Sequence, residues 1–242
     1  KVGLMTKERW LLWVMTNIEL TPAFLIHRRT FQGSSLLLDF VIRDYGKTRL
    51  VARSARKNKT SFQMFQCLNI SYKGKGDLKS LTHWEINDKP RRLIGNDLVL
   101  GLYVNELLSR LLPDNEAHQK LFDEYYNFIN NINVQTKAEK EFSLRLFENL
   151  LLKELGYGLE FKSDSIGNRI EPNLSYRFDD YEGLVVSENG KISGKTLLQL
   201  DSQFDSKPNP DQLAVLKKFN RGRLQTLLGE KPLKSRELFI SN

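Results

Sequence analysis

Five short runs with the apolar patterning of strands, at residues 23–30, 35–42, 47–53, 64–72 and 77–85, follow one another with only brief interruptions. Gly33, Gly46 and the Gly74/Gly76 pair stand between them, where tight turns favour a residue without a Cβ. Five such strands suit a small barrel. The longest connection, residues 54–61, is also basic.

Charge is concentrated around that connection. Seven of the seventeen residues 43–59 are Arg or Lys and one, Asp44, is acidic, so the stretch carries +6 in a chain whose net charge is only +8. Cations on a twisted hairpin can follow the repeating charges of a phosphate backbone. A five-stranded Greek-key barrel that binds oligonucleotides on one face, the OB-fold, is the economical architecture for this pattern. Lysines also keep an edge strand from pairing with another chain, so a solvated edge is the competing reading of the same residues.

From Asp97 the period changes to that of helices. Leu98, Leu102, Leu108, Leu111 and Leu112 form an apolar face that stops at Pro113, and Asp114 is placed to cap a second helix carrying Leu121, Phe122, Tyr125, Phe128 and Ile129. A third helix, from about Lys137 to Leu155, ends at Gly156. Residues 97–160 hold eleven acids and six bases, an unfavourable balance for a main DNA surface. Residues 176–178, 184–187 and 191–193 then read as short strands with Asn189-Gly190 as a hairpin turn, and Asn209-Pro210-Asp211 opens a helix to about Leu228. Lys217, Lys218, Arg221, Arg223, Lys231, Lys234 and Arg236 make a second basic cluster. The expected organisation is α+β: an extension over 1–22, the barrel over 23–88, a helical bundle over 95–156, and a small β subdomain with C-terminal helices over 157–242.

The longest apolar runs, such as residues 10–15, are too short to span a bilayer, and no small-residue cleavage site follows that run, so a cytoplasmic protein is expected. Cys67 is the single cysteine, which excludes an intrachain disulfide and a thiolate zinc cluster; its neighbours Met64, Phe65, Leu68 and Ile70 predict a buried thiol. His27, His83 and His118 are isolated and lack metal-site spacing. Gly190-Lys-Ile-Ser-Gly194-Lys195-Thr196 imitates a phosphate-binding loop but has three residues between its glycines where that motif has four. Lys75-Gly-Asp-Leu78 is not the lysine motif of an OB-containing ligase. No catalytic residue, cofactor or metal is therefore expected.

Three blocks, Ala-Phe-Leu-Ile-His-Arg-Arg-Thr at 23–30, Ser-Ser-Leu-Leu-Leu-Asp-Phe at 34–40 and Gly-Lys-Thr-Arg-Leu-Val-Ala-Arg-Ser-Ala-Arg at 46–56, resemble the N-terminal OB-fold of the RecO family of bacterial recombination mediators. Residues 101–110 resemble the opening of that family's helical domain, and residues 231–239 its C-terminal block; with Leu155-Gly-Tyr-Gly158 the matches run in the family's order. The resemblance implies a non-enzymatic, nucleoid-associated protein of the RecF pathway. Such a protein binds single- and double-stranded DNA, anneals complementary strands and, with RecR, helps RecA displace the single-stranded-DNA-binding protein, SSB. Many relatives bind zinc through four cysteines in the small subdomain, whereas residues 161–168 have none. Met15 lies near where such chains usually begin, so residues 1–14 are expected to be an extension.

Annealing requires cations that hold two polyanions without reading their sequence. Lys47, Arg49, Arg53, Arg56, Lys57 and Lys59 are the expected DNA contacts, with Tyr45 or Phe62 as stacking platforms and Lys231, Lys234 and Arg236 extending the path. The SSB tail is acidic and ends in phenylalanine, so its receptor needs an apolar slot beside a guanidinium. Phe142, Arg145 and Asn149 offer this, with an ion pair between Arg145 and Glu141 or Glu148 as the competing reading. Two other classes remain open on the residues alone: an OB-fold accessory subunit of a nuclease or ligase complex, and a protein-interaction adaptor.

Overall fold

The structure, a computed structural model, describes residues 17–58, 61–158, 161–179, 182–202 and 210–240. Strands β1 (Asn17–Phe31), β2 (Ser35–Ile42), β3 (Gly46–Ala52), β4 (Cys67–Lys73) and β5 (Lys79–Ile86) close a barrel in the order β1-β2-β3-β5-β4. Every neighbouring pair is antiparallel except β3 and β5, which run parallel. This is an OB-fold, as the spacing of the strand-like runs predicts. Alternation carries Leu38, Phe40 and Ile42 of β2 and Leu68, Ile70 and Tyr72 of β4 into one interior core.

β1 begins six residues before its apolar pattern does. A register shift between Ile18 and Thr21, with Leu20 at φ +32°, breaks the two-residue period, so the pattern becomes legible only from Ala23. The bulged strand pairs with β4 through its first half and with β2 through its second.

Six helices are described: α1 (Gly95–Leu111), α2 (Gln119–Asn131), α3 (Lys137–Glu154), α4 (Gly194–Ser202), α5 (Pro210–Leu228) and α6 (Lys234–Ile240). By packing, the chain forms two units, one of Lys1–Asn133 with Leu233–Asn242 and the other Val134–Pro232. The first holds the barrel, α1, α2 and α6. Phe24 of β1 points out of the barrel, fully buried, and meets Phe122 and Tyr125 of α2 at ring distances of 5.3 and 4.9 Å. The Tyr125 hydroxyl donates to Asn105 Oδ1 at 2.6 Å, tying α2 to α1, and burial pushes that phenol's pKa up.

Asp114 does not cap α2. The helix starts later, with His118 at its N-cap, and Asp114 instead pairs with Lys47 at 3.1 Å. The loop carrying Asp114 docks on the β2–β3 turn, where Asn115 N donates to Lys47 O at 2.8 Å. Gly46 permits this approach: at φ +70°, a Cβ on it would lie 1.7 Å from the Glu116 carbonyl oxygen.

In the second unit α3 starts with a capping box, Thr136 and Glu139 each accepting from the other's backbone N–H, and Gly156 at φ +80° follows its end. α3 packs against α5, with Lys217 Nζ on Glu141 at 2.8 Å. Strands β6 (Ser175–Asp179), β7 (Gly183–Val186) and β8 (Ile192–Ser193) form a sheet in the order β7-β6-β8. The Asn189-Gly190 turn is therefore not a hairpin between paired strands, because β7 and β8 flank β6 on opposite sides. The chain crosses over β6 at Tyr176, whose backbone would lie 2.5 Å from a Cβ on Gly190. The phosphate-loop decoy is divided among this crossing, β8 and the start of α4, with Ser193 Oγ accepting from Thr196 N at 3.1 Å. Among the described residues no helix is long and apolar enough to cross a membrane.

Candidate nucleic-acid interface

The basic connection after β3 is fastened to the β1–β2 turn. Arg56 N donates to Ser34 O at 2.9 Å and Arg56 Nη1 to Gly33 O at 3.1 Å, while Arg28 Nη1 of β1 donates to Phe62 O at 3.1 Å. Three hydrogen bonds thus turn two adjoining loops into one lip on the barrel. Arg53, Arg56 and Lys57 are exposed on it and Arg28 and Arg29 are exposed near the end of β1, and Arg29, Arg53 and Lys57 have no partner among the described residues. Cations held at fixed spacing with free guanidinium or ammonium heads are the arrangement that contacts phosphates without base readout. Arg28 and Arg29 fall outside the 43–59 window. Their signal in the sequence is the pair of adjacent arginines that follows a buried apolar run, residues 23–26.

Lys47 and Arg49, expected on the same surface, are already engaged. Lys47 Nζ donates to Ser109 O at 3.0 Å and pairs with Asp114, and its side chain is only 13% exposed. Arg49 Nε donates to Asp39 Oδ1 at 2.7 Å, and that hydrogen bond raises the guanidinium pKa against the opposing effect of burial. His27 Nδ1 lies 3.5 Å from the other oxygen of Asp39. Of the two stacking candidates, Phe62 is buried at 2% exposure, and Tyr45 remains 38% exposed with its ring edge-on to Tyr72 at 6.2 Å. Lys59 lies outside the described residues.

The C-terminal cations sit on and before α6. Lys231 and Lys234 are exposed and Arg236 is half-buried. The start of that helix is fixed by Glu106 of α1, whose carboxylate accepts from Lys234 N at 3.0 Å, Ser235 N at 2.9 Å and Ser235 Oγ at 2.7 Å. Burial raises the Glu106 pKa, but the bonds from Ser235 and Lys234, with Arg110 nearby, outweigh it and hold the carboxyl below its ordinary value.

Phe142, Arg145 and Asn149 of α3 are all half-buried. Arg145 Nη1 donates to Glu148 Oε2 at 2.5 Å, its side chain 13% exposed and that of Glu148 fully buried. Asn220 of α5 donates through Nδ2 to the same Glu148 oxygen at 3.1 Å and to Arg145 O at 3.0 Å. The guanidinium therefore neutralises a buried acid within its own unit.

Residues 161–168 hold no cysteine or histidine, and among the described residues no group of three or more His, Cys, Asp or Glu is placed to hold a metal ion. Asp164 Oδ1 accepts from Ile166 N at 3.1 Å and Asn168 N at 2.8 Å, so backbone amides occupy the one carboxylate there and shape the loop. Cys67, 3% exposed in the barrel, has its thiol pushed up to about 11 by burial, which makes it inert.

Comparison with known proteins adds to this geometry. The family model described as Recombination protein O N terminal matches residues 15–89, and that described as Recombination protein O C terminal matches residues 95–237. Proteins named DNA repair protein RecO are similar over nearly their whole length. That of Pseudoalteromonas translucida is 36% identical over 225 residues, 91% of this chain and 96% of the relative. That of Coxiella burnetii is 37% identical over 233 residues, 93% and 99%, and that of Salmonella schwarzengrund 38% identical over 225 residues, 90% and 92%. Matched through its barrel and its helical remainder alike, the chain belongs to the RecO family of recombination proteins.

Proposed function

We propose that the chain is a DNA-repair mediator that works without catalysis, gripping single-stranded DNA by its phosphates along the barrel lip and leaving the bases free to pair. The observation that carries this reading is the lip itself, with Arg53 and Lys57 exposed and unpartnered among the described residues on a segment fastened by Arg28 and Arg56, and Arg29 likewise on the adjoining strand β1. Weak, exchangeable phosphate contacts lower the repulsion between two strands, which is what annealing requires. Lys231, Lys234 and Arg236 extend the grip to duplex DNA. As a RecO-family member the protein acts with RecR to help RecA displace SSB. The acidic SSB tail is received on α3 at Phe142, Arg145 and Asn149, where the guanidinium also pairs with Glu148.

A strand-annealing assay without nucleotide, on naked and on SSB-coated complementary strands, tests the proposal. A mediator accelerates pairing of both substrates. Failure on both, or turnover that needs a metal, favours an accessory subunit of a nuclease or ligase complex.

A further inference from the structure

We infer that Trp84 is a base-stacking platform that gives the lip a preference for single-stranded over duplex nucleic acid; this rests on the reading of the lip as a phosphate grip. Trp84 lies near the end of β5, paired across the strand with Ile70 of β4. Its ring stands 5.1 Å from that of Phe62, tilted by 54°, and Phe62 belongs to the same connection as Arg53, Arg56 and Lys57. The Phe62 carbonyl is the one that Arg28 holds. The indole is thus anchored, through one ring contact, to the fastened segment that carries the free cations.

The two rings differ in what they can do. Phe62 is enclosed, whereas Trp84 packs on the barrel core with only part of its surface and stays half-exposed. A position that required only an apolar filler would be served by leucine. A partly uncovered indole, rigidly supported from below, presents a π surface at no ordering cost, and unpaired bases stack on such surfaces irrespective of sequence. Phosphate contacts alone do not distinguish one strand from two. Bases inside a duplex are unavailable for stacking, so an aromatic beside a row of cations supplies the discrimination.

The test uses the full chain, an oligothymidylate and a duplex of the same length. Trp84→Leu, which keeps the apolar packing, should weaken oligothymidylate binding about tenfold, leave the salt dependence unchanged, and leave duplex affinity as it was. Trp84→Phe should retain most of the affinity. Fluorescence gives a readout that does not depend on tolerance of the substitution, because the chain has three tryptophans. With Trp10→Phe and Trp13→Phe in place, the remaining indole should be quenched by oligothymidylate and not by duplex. Single-strand affinity of Trp84→Leu within twofold of the parent, or absence of quenching in a chain that still binds, overturns the stacking role and spares the phosphate grip. No oligothymidylate binding by the unaltered chain overturns both.

Discussion

Replacing Arg145 by alanine tests whether its charge serves the fold. The substitution removes the guanidinium from Glu148, whose side chain has no exposure and which also accepts from Asn220 Nδ2 across the α3–α5 contact. Deleting one partner of a buried ion pair costs about 3–5 kcal/mol. Arg145→Ala should therefore lose about 3–5 kcal/mol. Adding Glu148→Gln removes the charge and should restore most of the stability. Urea unfolding, with amide exchange along α3 and α5 to assign the transition, measures both quantities. A loss below about 1 kcal/mol, or no rescue by Glu148→Gln, would refute the argument.

Three further outcomes are expected. Neutralising Arg29, Arg53 and Lys57 together should lower the log–log salt slope of single-strand binding by about 2, at about 0.7 per lost phosphate contact, whereas Lys47→Gln should barely change it. The Glu106 pKa is depressed in the folded chain, so its contribution is present above the unfolded value and fades as the pH falls through the folded one. Amide protection in α6 should accordingly drop in acid, and Glu106→Gln, costing about 1–2 kcal/mol, should remove that dependence. Gly46→Ala, which meets the Glu116 carbonyl at positive φ, should destabilise the first unit by more than about 3 kcal/mol in thermal unfolding.

Strand-like runs and glycine turns made the barrel legible, since inward alternation and tight turns leave a local imprint. The start of β1 was hidden because one bulge at Leu20 cancels that imprint for six residues. Helical period placed α1, α2 and α3 in one stretch, but period is silent on partners: α1 and α2 pack with the barrel unit and α3 with α5. α4 was missed because its opening Gly194, Lys195 and Thr196 were absorbed into the phosphate-loop decoy. At the interface, counting charges found Arg53, Arg56 and Lys57, yet a count cannot tell a free cation from a committed one. The acids that engage Lys47 and Arg49 are Asp114 and Asp39, the first of them 67 residues away in the chain. Arg29 escaped notice because it lies outside the 43–59 window in which charge was counted.

The bond between Glu106 and Ser235 also governs the order in which the protein can be completed. As the chain is synthesised, the barrel, α1 and α2 emerge first, and the whole of Val134–Pro232 must then follow before the segment that finishes the first unit exists. Until then the face of α1 that receives α6 is uncovered, and Glu106 has none of its three donors. Premature termination before Leu233, or cleavage there by a protease, therefore damages the unit made earliest and leaves the later one with all its residues.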